Sequence, residues 1–233
     1  MKTIFYLAMT ARERSLCPVL PEGIAHMACH FSPYEAGLES IPNDLPSGSM
    51  IILNDRIPFR DHDCGMIAWQ LASIPCDSLL LDLRRTDPDT VNKLVNKILS
   101  SVPFPIALPE RYAAGWDCPV FLDSVDADTN PFSRAEAWKG RELWLDLSPG
   151  FIAYRINNQG AERIPGGFPG KETVHKCDAL HCRYQIALTD DCAAFTLWRD
   201  CEDALEILRQ GKEHGITRGV GLWQEWNRFR NFP

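Results

Sequence analysis

No apolar run in this chain approaches the ~18 residues that would read as a membrane span. Basic runs are missing as well. The densest patches, Arg84-Arg85 and Arg228-Phe229-Arg230, are short, and the net charge is -7 with a pI near 5.4. An acidic chain without a basic groove argues against phosphate-backbone binding and leaves neutral sugars open. There is no GxSxG elbow and no Walker A loop. The dinucleotide fingerprint GxGxxG is absent too. Gly166-Gly167 with Gly170 lies in a proline-rich loop with no preceding Rossmann strand, and Gly219 and Gly221 fall inside the last strand. No nucleotide or other cofactor is therefore expected. None of the nine cysteines forms the CxxC pair of a redox or zinc-ribbon site. The N-terminal apolar stretch Ile4 to Met9 is short for a signal peptide, and Arg12, Glu13 and Arg14 follow at once. The expectations are a cytoplasmic location and reduced cysteines, most of them acting as small buried hydrophobes.

What is present fits one large soluble domain over residues 1–233. Hydrophobic residues make up 45% and charged residues 24%, enough to build a large core without disulfide staples. The strand candidates are Thr3–Met9, Met50–Leu53, Ser78–Leu83, Pro105–Leu108, Pro119–Asp123, Glu142–Leu147, Phe151–Ile156, Tyr184–Leu188, Ala193–Trp198 and Arg218–Trp223. Several are continuous apolar runs, the mark of strands covered on both faces in a parallel sheet. Helices alternate with them. In Pro88–Ser101, residues Val91, Leu94, Val95, Ile98 and Leu99 share one stripe, with Asp87 placed to cap and Pro88 in the first turn. Asp200–His214 is similar, capped by Asp200 and ended by Gly215. Cys64–Ser73 is a shorter helix, capped by Asp61 or Asp63, and Ser133–Lys139 carries a capping box in Ser133 and Glu136.

The alternation predicts an α/β fold: a (β/α)8 TIM-type barrel, compact or incomplete, with an antiparallel β insertion near residues 150–190. Two hairpins are expected there, one turning at Asn157–Gly160 and one at Thr189–Cys192. The segment Thr10–Gly48 reads as a long irregular loop crossing one barrel mouth. The chain leaves little for a final helix after its last strand, so the tail Asn227–Pro233 or a partner subunit would cover that side. A homo-oligomer stays open. Trp69, Trp144 and Trp198 lie within elements and are expected in the core.

An acid stands at or just past the end of nearly every strand: Asp55, Asp82, Glu110, Asp123, Asp146, Asp190 and Glu225. Parallel strands would gather these carboxylates at one rim, where such barrels keep their chemistry. Two carboxylates flanking a scissile bond can divide glycoside hydrolysis between an acid and a base or nucleophile. The favoured pair is Glu110 with Glu225, assisted by Asp82 and Asp123. Aromatic neighbours suit sugar rings: Tyr112 stands near Glu110, and Trp223 and Trp226 flank Glu225. Asp55, Arg84, Tyr112, Asp146 and Trp223 complete the expected substrate-binding set. The bland alternative is that these acids cap helices, make turns or pair with arginines.

The pattern, spread over Thr3 to Trp226, resembles the glycoside-hydrolase-like (β/α)8 barrels, including the chitinase-like group whose strands end in acids. That group's DxxDxDxE motif is absent. SLLLDLRR at Ser78–Arg85 supplies one aspartate where the motif carries three acids and a final Glu. The resemblance implies a barrel acting on a carbohydrate, one that has lost catalysis, or one with different chemistry. Beside a glycoside-hydrolase-like barrel stand two other functions. One is a metal-dependent hydrolase using His62, Asp55 and Asp82. The other is a non-catalytic carbohydrate-binding or scaffold barrel. Two further clusters, His175–Cys182 and His26 with Cys29 and His30, hold zinc-binding residue types at spacings that match no finger pattern, and packing roles are preferred for both. No metal site is expected. The expected partner is a small-molecule or carbohydrate substrate, with neither nucleic acid nor membrane.

Overall fold

A computed structural model describes residues 3–17, 23–27, 29–165, 173–188 and 191–230. The elements run β1 (Ile4–Met9), α1 (Ala11–Leu16), β2 (Ile24–His26), β3 (His30–Phe31), β4 (Leu38–Glu39), β5 (Met50–Asn54), α2 (Cys64–Ala72), β6 (Ser78–Asp82) and α3 (Pro88–Leu99). They continue with β7 (Ile106–Pro109), α4 (Glu110–Ala113), β8 (Val120–Leu122), β9 (Leu143–Asp146), β10 (Gly150–Asn157), β11 (Gly160–Ile164) and β12 (His175–Cys177). Last come β13 (Cys182–Leu188), β14 (Ala193–Arg199), α5 (Cys201–Gly211), β15 (Ile216–Leu222) and α6 (Trp223–Arg230).

Eight strands close into a parallel barrel in the order β1-β15-β9-β8-β7-β6-β5-β2, so of the two expected forms the closed one is present. The apolar runs show why. Alternate residues of each strand face opposite sides. Met50, Ile52 and Leu80 point into a barrel interior shared with Tyr6, Phe121, Trp144 and Val220. Ile51, Leu53, Leu79 and Leu81 point outward into a second layer with the helices. Strands buried on both faces need no polar alternation. In α3, Val91, Leu94, Val95 and Ile98 are buried, each contributing roughly 1.5–3 kcal/mol, while Leu99 lies at the stripe's edge and is exposed. Asp87 caps the helix through Thr90 N at 2.9 Å.

The insertion forms a five-stranded antiparallel sheet, ordered β11-β10-β14-β13-β12, that leaves the barrel at the C-terminal end of β9. It therefore stands beside the mouth. Its inner half packs Ile152, Cys182 and Leu197 against Ala127 of the β8–β9 connection. Thr189, Asp190 and most of the glycine-rich loop at 164–172, including Gly166, Gly167 and Gly170, lie outside the described residues.

Four expectations are corrected. The segment Thr10–Gly48 is not one loop: it holds α1, with a capping box between Thr10 and Glu13, and β2, a barrel strand. Three residues are too few for β2 to show a period. The helix expected at Ser133–Lys139 is a 3-10 turn at Ala135–Trp138 without its Ser133 cap, because Arg134 and Trp138 both turn to the Glu110 carboxylate. The chain does supply a final helix, α6, and Trp223 opens it instead of ending β15. Trp144 and Trp198 are buried, but Trp69 is 65% exposed, since Ile67, Ala68 and Leu71 take the buried stripe of α2. Cys29, Cys64, Cys76, Cys118 and Cys182 are buried, and all nine cysteines are free thiols.

Candidate active site

Parallel strand order brings the C-terminal ends of the barrel strands to one mouth. Asp82 ends β6 and Asp146 ends β9. Asp55 and Asp123 directly follow β5 and β8, while Glu110 and Glu225 lie in the first turns of α4 and α6. These groups act on one another. Asp55 and Asp123 both raise the Asp82 carboxyl, and Glu225 and Asp123 both raise that of Asp146.

Most of the rim carboxylates are already engaged. Asp55 is 3% exposed and accepts from Arg84 N at 2.8 Å, Arg85 N at 2.6 Å, Thr86 N at 2.7 Å and Thr86 Oγ1 at 2.9 Å. Burial by itself would raise its pKa, and the four donors override that and hold the carboxylate below its ordinary value. The same loop is pinned from the other side. Tyr112 donates its hydroxyl to Thr86 O at 2.6 Å, and Arg111 Nη1 donates to Arg84 O. Asp55 and Tyr112 thus anchor the β6–α3 loop.

Arg84 bridges two strand ends. Its Nε donates to Asp82 Oδ1 at 2.7 Å, and its Nη2 and Nη1 reach Asp123 Oδ1 and Oδ2 at 2.6 and 3.3 Å. Burial raises the Asp82 carboxyl, with Arg84 opposing. Glu110 makes an ion pair with Arg134 and accepts from Trp138 Nε1 at 3.0 Å. Of the expected pair, Glu110 is engaged with the β8–β9 connection through Arg134 and Trp138.

Asp146 and Glu225 remain. Asp146 Oδ1 accepts from Ser148 N at 3.0 Å and Ser148 Oγ at 2.7 Å. Burial pushes its carboxyl above the usual range, Ser148 opposes, and the charges of Glu225 and Asp123 add to the rise. Glu225 Oε2 is buried and has no hydrogen-bond partner among the described residues. Its helix is set by Trp226, whose Nε1 donates to Leu147 O at 3.1 Å and whose ring packs 4.3 Å from Phe5. That ring lies flush on β15, where a Cβ on Gly221 would come within 2.0 Å of Trp226 Nε1.

A cleft of about 180 Å³ opens here, lined by Ser124, Asp126, Ser148, Phe151, Arg199 and Glu225 among others. From the sequence, Arg199 is expected only as an ion-pair partner for strand-end acids. It is buried at the end of β14 and donates to the carbonyls of Val125 at 2.8 Å, Asp126 at 3.2 Å, Leu180 at 2.9 Å and His181 at 3.3 Å, and to that of Thr129. It ties the inserted sheet to the mouth. The only available signal was an arginine ending an apolar strand. Trp223 is half-buried on α6 and is not among the residues lining the cleft. Another cavity, of about 620 Å³, lies between Phe132, His181 and His214.

Two strands round the barrel from β15, His26 ends β2 at 3% exposure. Burial and then Arg14, 3.5 Å away, push its imidazole down to about 4, with Asp44 opposing. The residues of the metal-hydrolase reading do not converge. His62 is exposed beside Asp63, and Asp55 is occupied by its four donors. Among the described residues no three His, Cys, Asp or Glu side chains form a metal-binding group. No described helix is long and apolar enough to cross a membrane.

No family model matches the chain, and no curated protein is significantly similar to it in sequence. Solved structures are similar in shape. The C-terminal domain of a putative chitinase from Desulfitobacterium hafniense DCB-2 superposes with a TM-score of 0.56 at 10% identity, over 96% of this chain and 94% of that one. The spore cortex-lytic enzyme SleL from Bacillus cereus gives a TM-score of 0.51 at 9% identity, over 100% of this chain and 75% of that one. The shared feature is the barrel fold. At such identities the likeness does not extend to individual site residues.

Proposed function

We propose that the protein is a glycoside-hydrolase-like barrel that cleaves a carbohydrate with Asp146 and Glu225 as its carboxyl pair. The observation that carries this reading is one juxtaposition. A carboxyl whose pKa is raised by burial and by the charge of Glu225 lies near that second carboxyl group, which lines a cleft and has a buried, unpartnered oxygen. Paired carboxyl groups in unlike environments are the requirement for glycoside hydrolysis. Asp146 is the general acid. Ser148 occupies its Oδ1, which leaves Oδ2 to carry the proton to the leaving oxygen. Glu225 is the base or nucleophile. The other rim acids, with Arg84 and Arg134, hold the mouth in shape, Asp55 and Tyr112 through the β6–α3 loop. The substrate class is taken from the two similar structures, a domain of a putative chitinase and a spore cortex-lytic enzyme. Chitin and spore cortex are the glycans to offer first.

A non-catalytic carbohydrate-binding barrel is the second reading, favoured by the Arg84 bridge that neutralises Asp82 and Asp123. One experiment separates the two. The protein is incubated with chitin oligosaccharides and with spore cortex, and products and binding are both measured. Cleavage that falls by about 10²–10⁴-fold in Asp146→Asn and Glu225→Gln supports hydrolysis. Binding without cleavage supports the second reading, and the absence of both overturns the two together.

A further inference from the structure

We propose that Cys177 and Cys182 are a redox-active dithiol that small-molecule disulfides oxidise to an intramolecular disulfide. The two residues are directly opposed in the antiparallel pair β12–β13, at the point where the hairpin turns. Opposed residues in such a ladder have Cα atoms about 4.5–5.5 Å apart, within the ~4.4–6.8 Å that a disulfide spans. Both side chains lie in the small apolar cluster around Ala127 and Ile152. The turn between them is tight: His181 N donates to Asp178 O at 3.3 Å, and His181 has a left-handed φ of 49°. The strands therefore already hold the sulfurs together, and bridging them requires little backbone movement.

Access differs between the two sulfurs. Cys182 is 0% exposed and Cys177 is half-buried. Burial, with the Cys177 thiol adding and Arg199 opposing, pushes Cys182 up to about 11. The exposed member must react first. The Cys177 thiolate attacks one sulfur of glutathione disulfide. That S–S bond breaks, and one glutathione leaves as a thiolate. Cys182 then gives its proton to solvent and attacks the Cys177 sulfur, displacing the second glutathione. Two protein thiols and one small disulfide become one protein disulfide and two glutathione thiols. Two electrons pass to glutathione.

The site is joined to the mouth. Leu180 and His181, inside the closed turn, give their carbonyls to Arg199, whose other N–H groups hold Val125, Asp126 and Thr129 beside the cleft. Oxidation would lock that clamp. The chemistry itself does not depend on the hydrolase reading, and its test uses no glycan.

Trypsin cuts after Lys176 and Arg183, so one peptide, Cys177–Arg183, carries both sulfurs. The full chain is equilibrated with glutathione disulfide, alkylated, digested and weighed. The expected peptide is unalkylated and lighter by two hydrogen atoms, and it returns to the doubly alkylated mass after reduction. In Cys182→Ser the same treatment leaves glutathione on Cys177, because no resolving thiol remains. A wild-type peptide that stays doubly alkylated, or either sulfur found bridged to another cysteine, overturns the proposal. The wild-type map decides the matter even if a variant folds poorly.

Discussion

Arg84 meets Asp123 with both of its terminal nitrogens, at 2.6 and 3.3 Å, across 39 residues of sequence. Its Nε simultaneously holds Asp82. One cation thus joins two strand ends that sequence reasoning had offered as catalytic acids. The side chains are partly exposed, so solvent screens the bridge. A double-mutant cycle of Arg84→Met with Asp123→Asn should give a coupling of about 1 kcal/mol or less, read from urea midpoints. The larger effect should fall on Asp82, whose carboxyl loses its compensating cation and should titrate higher in Arg84→Met. Carboxyl-carbon NMR would follow that directly.

His26 makes stability depend on pH. Its folded pKa of about 4 lies below the ordinary 6.5, so the unfolded chain binds the proton more readily. Stability is therefore greatest above pH ~6.5 and is lost as pH falls toward 4. The loss across that window should be on the order of 3 kcal/mol. Denaturant melts at pH 7 and pH 4.5, in wild type and His26→Gln, should show a smaller pH difference in the variant. An unchanged difference would remove His26 as its source.

Asp146 has the opposite sense. Its folded pKa is raised, so the charged form opposes folding above that pKa, and stability is gained as pH falls through it. Asp146→Asn removes a buried charge and keeps a hydrogen-bonding side chain beside Ser148. The variant should melt higher than wild type at neutral pH while losing any hydrolytic activity. A lower melting temperature would mean that the charge is better compensated than its surroundings imply.

Gly221→Ala tests how Glu225 is positioned. A Cβ there would collide with Trp226, whose ring also packs 4.3 Å from Phe5. Overpacking of this kind costs about 1–3 kcal/mol. The displaced indole should shift tryptophan emission and lose its bond to Leu147 O. Glycan cleavage should fall together with the spectral change, since Glu225 stands one residue before Trp226.

Local pattern was enough to read the barrel. Runs such as MIIL and SLLL carry their two-sided burial in their own composition, and the stripe of α3 is written at helical spacing with its cap and proline in place. Those features depend on neighbours a few residues away. Short elements were invisible for the same reason: β2 has three residues, and α6 begins directly after an apolar strand. The gathering of acids at one mouth could also be inferred, because it follows from strand direction. Which acids are free to act could not. Glu110 finds Arg134 and Asp55 finds the amides of the next loop through contacts spanning 24 to 31 residues, and Asp146 feels the charge of Glu225 from 79 residues away in sequence. Ionic partnership and burial are set by distance in space, and only the closed barrel decides which carboxylates are neutralised and which are left facing the cleft.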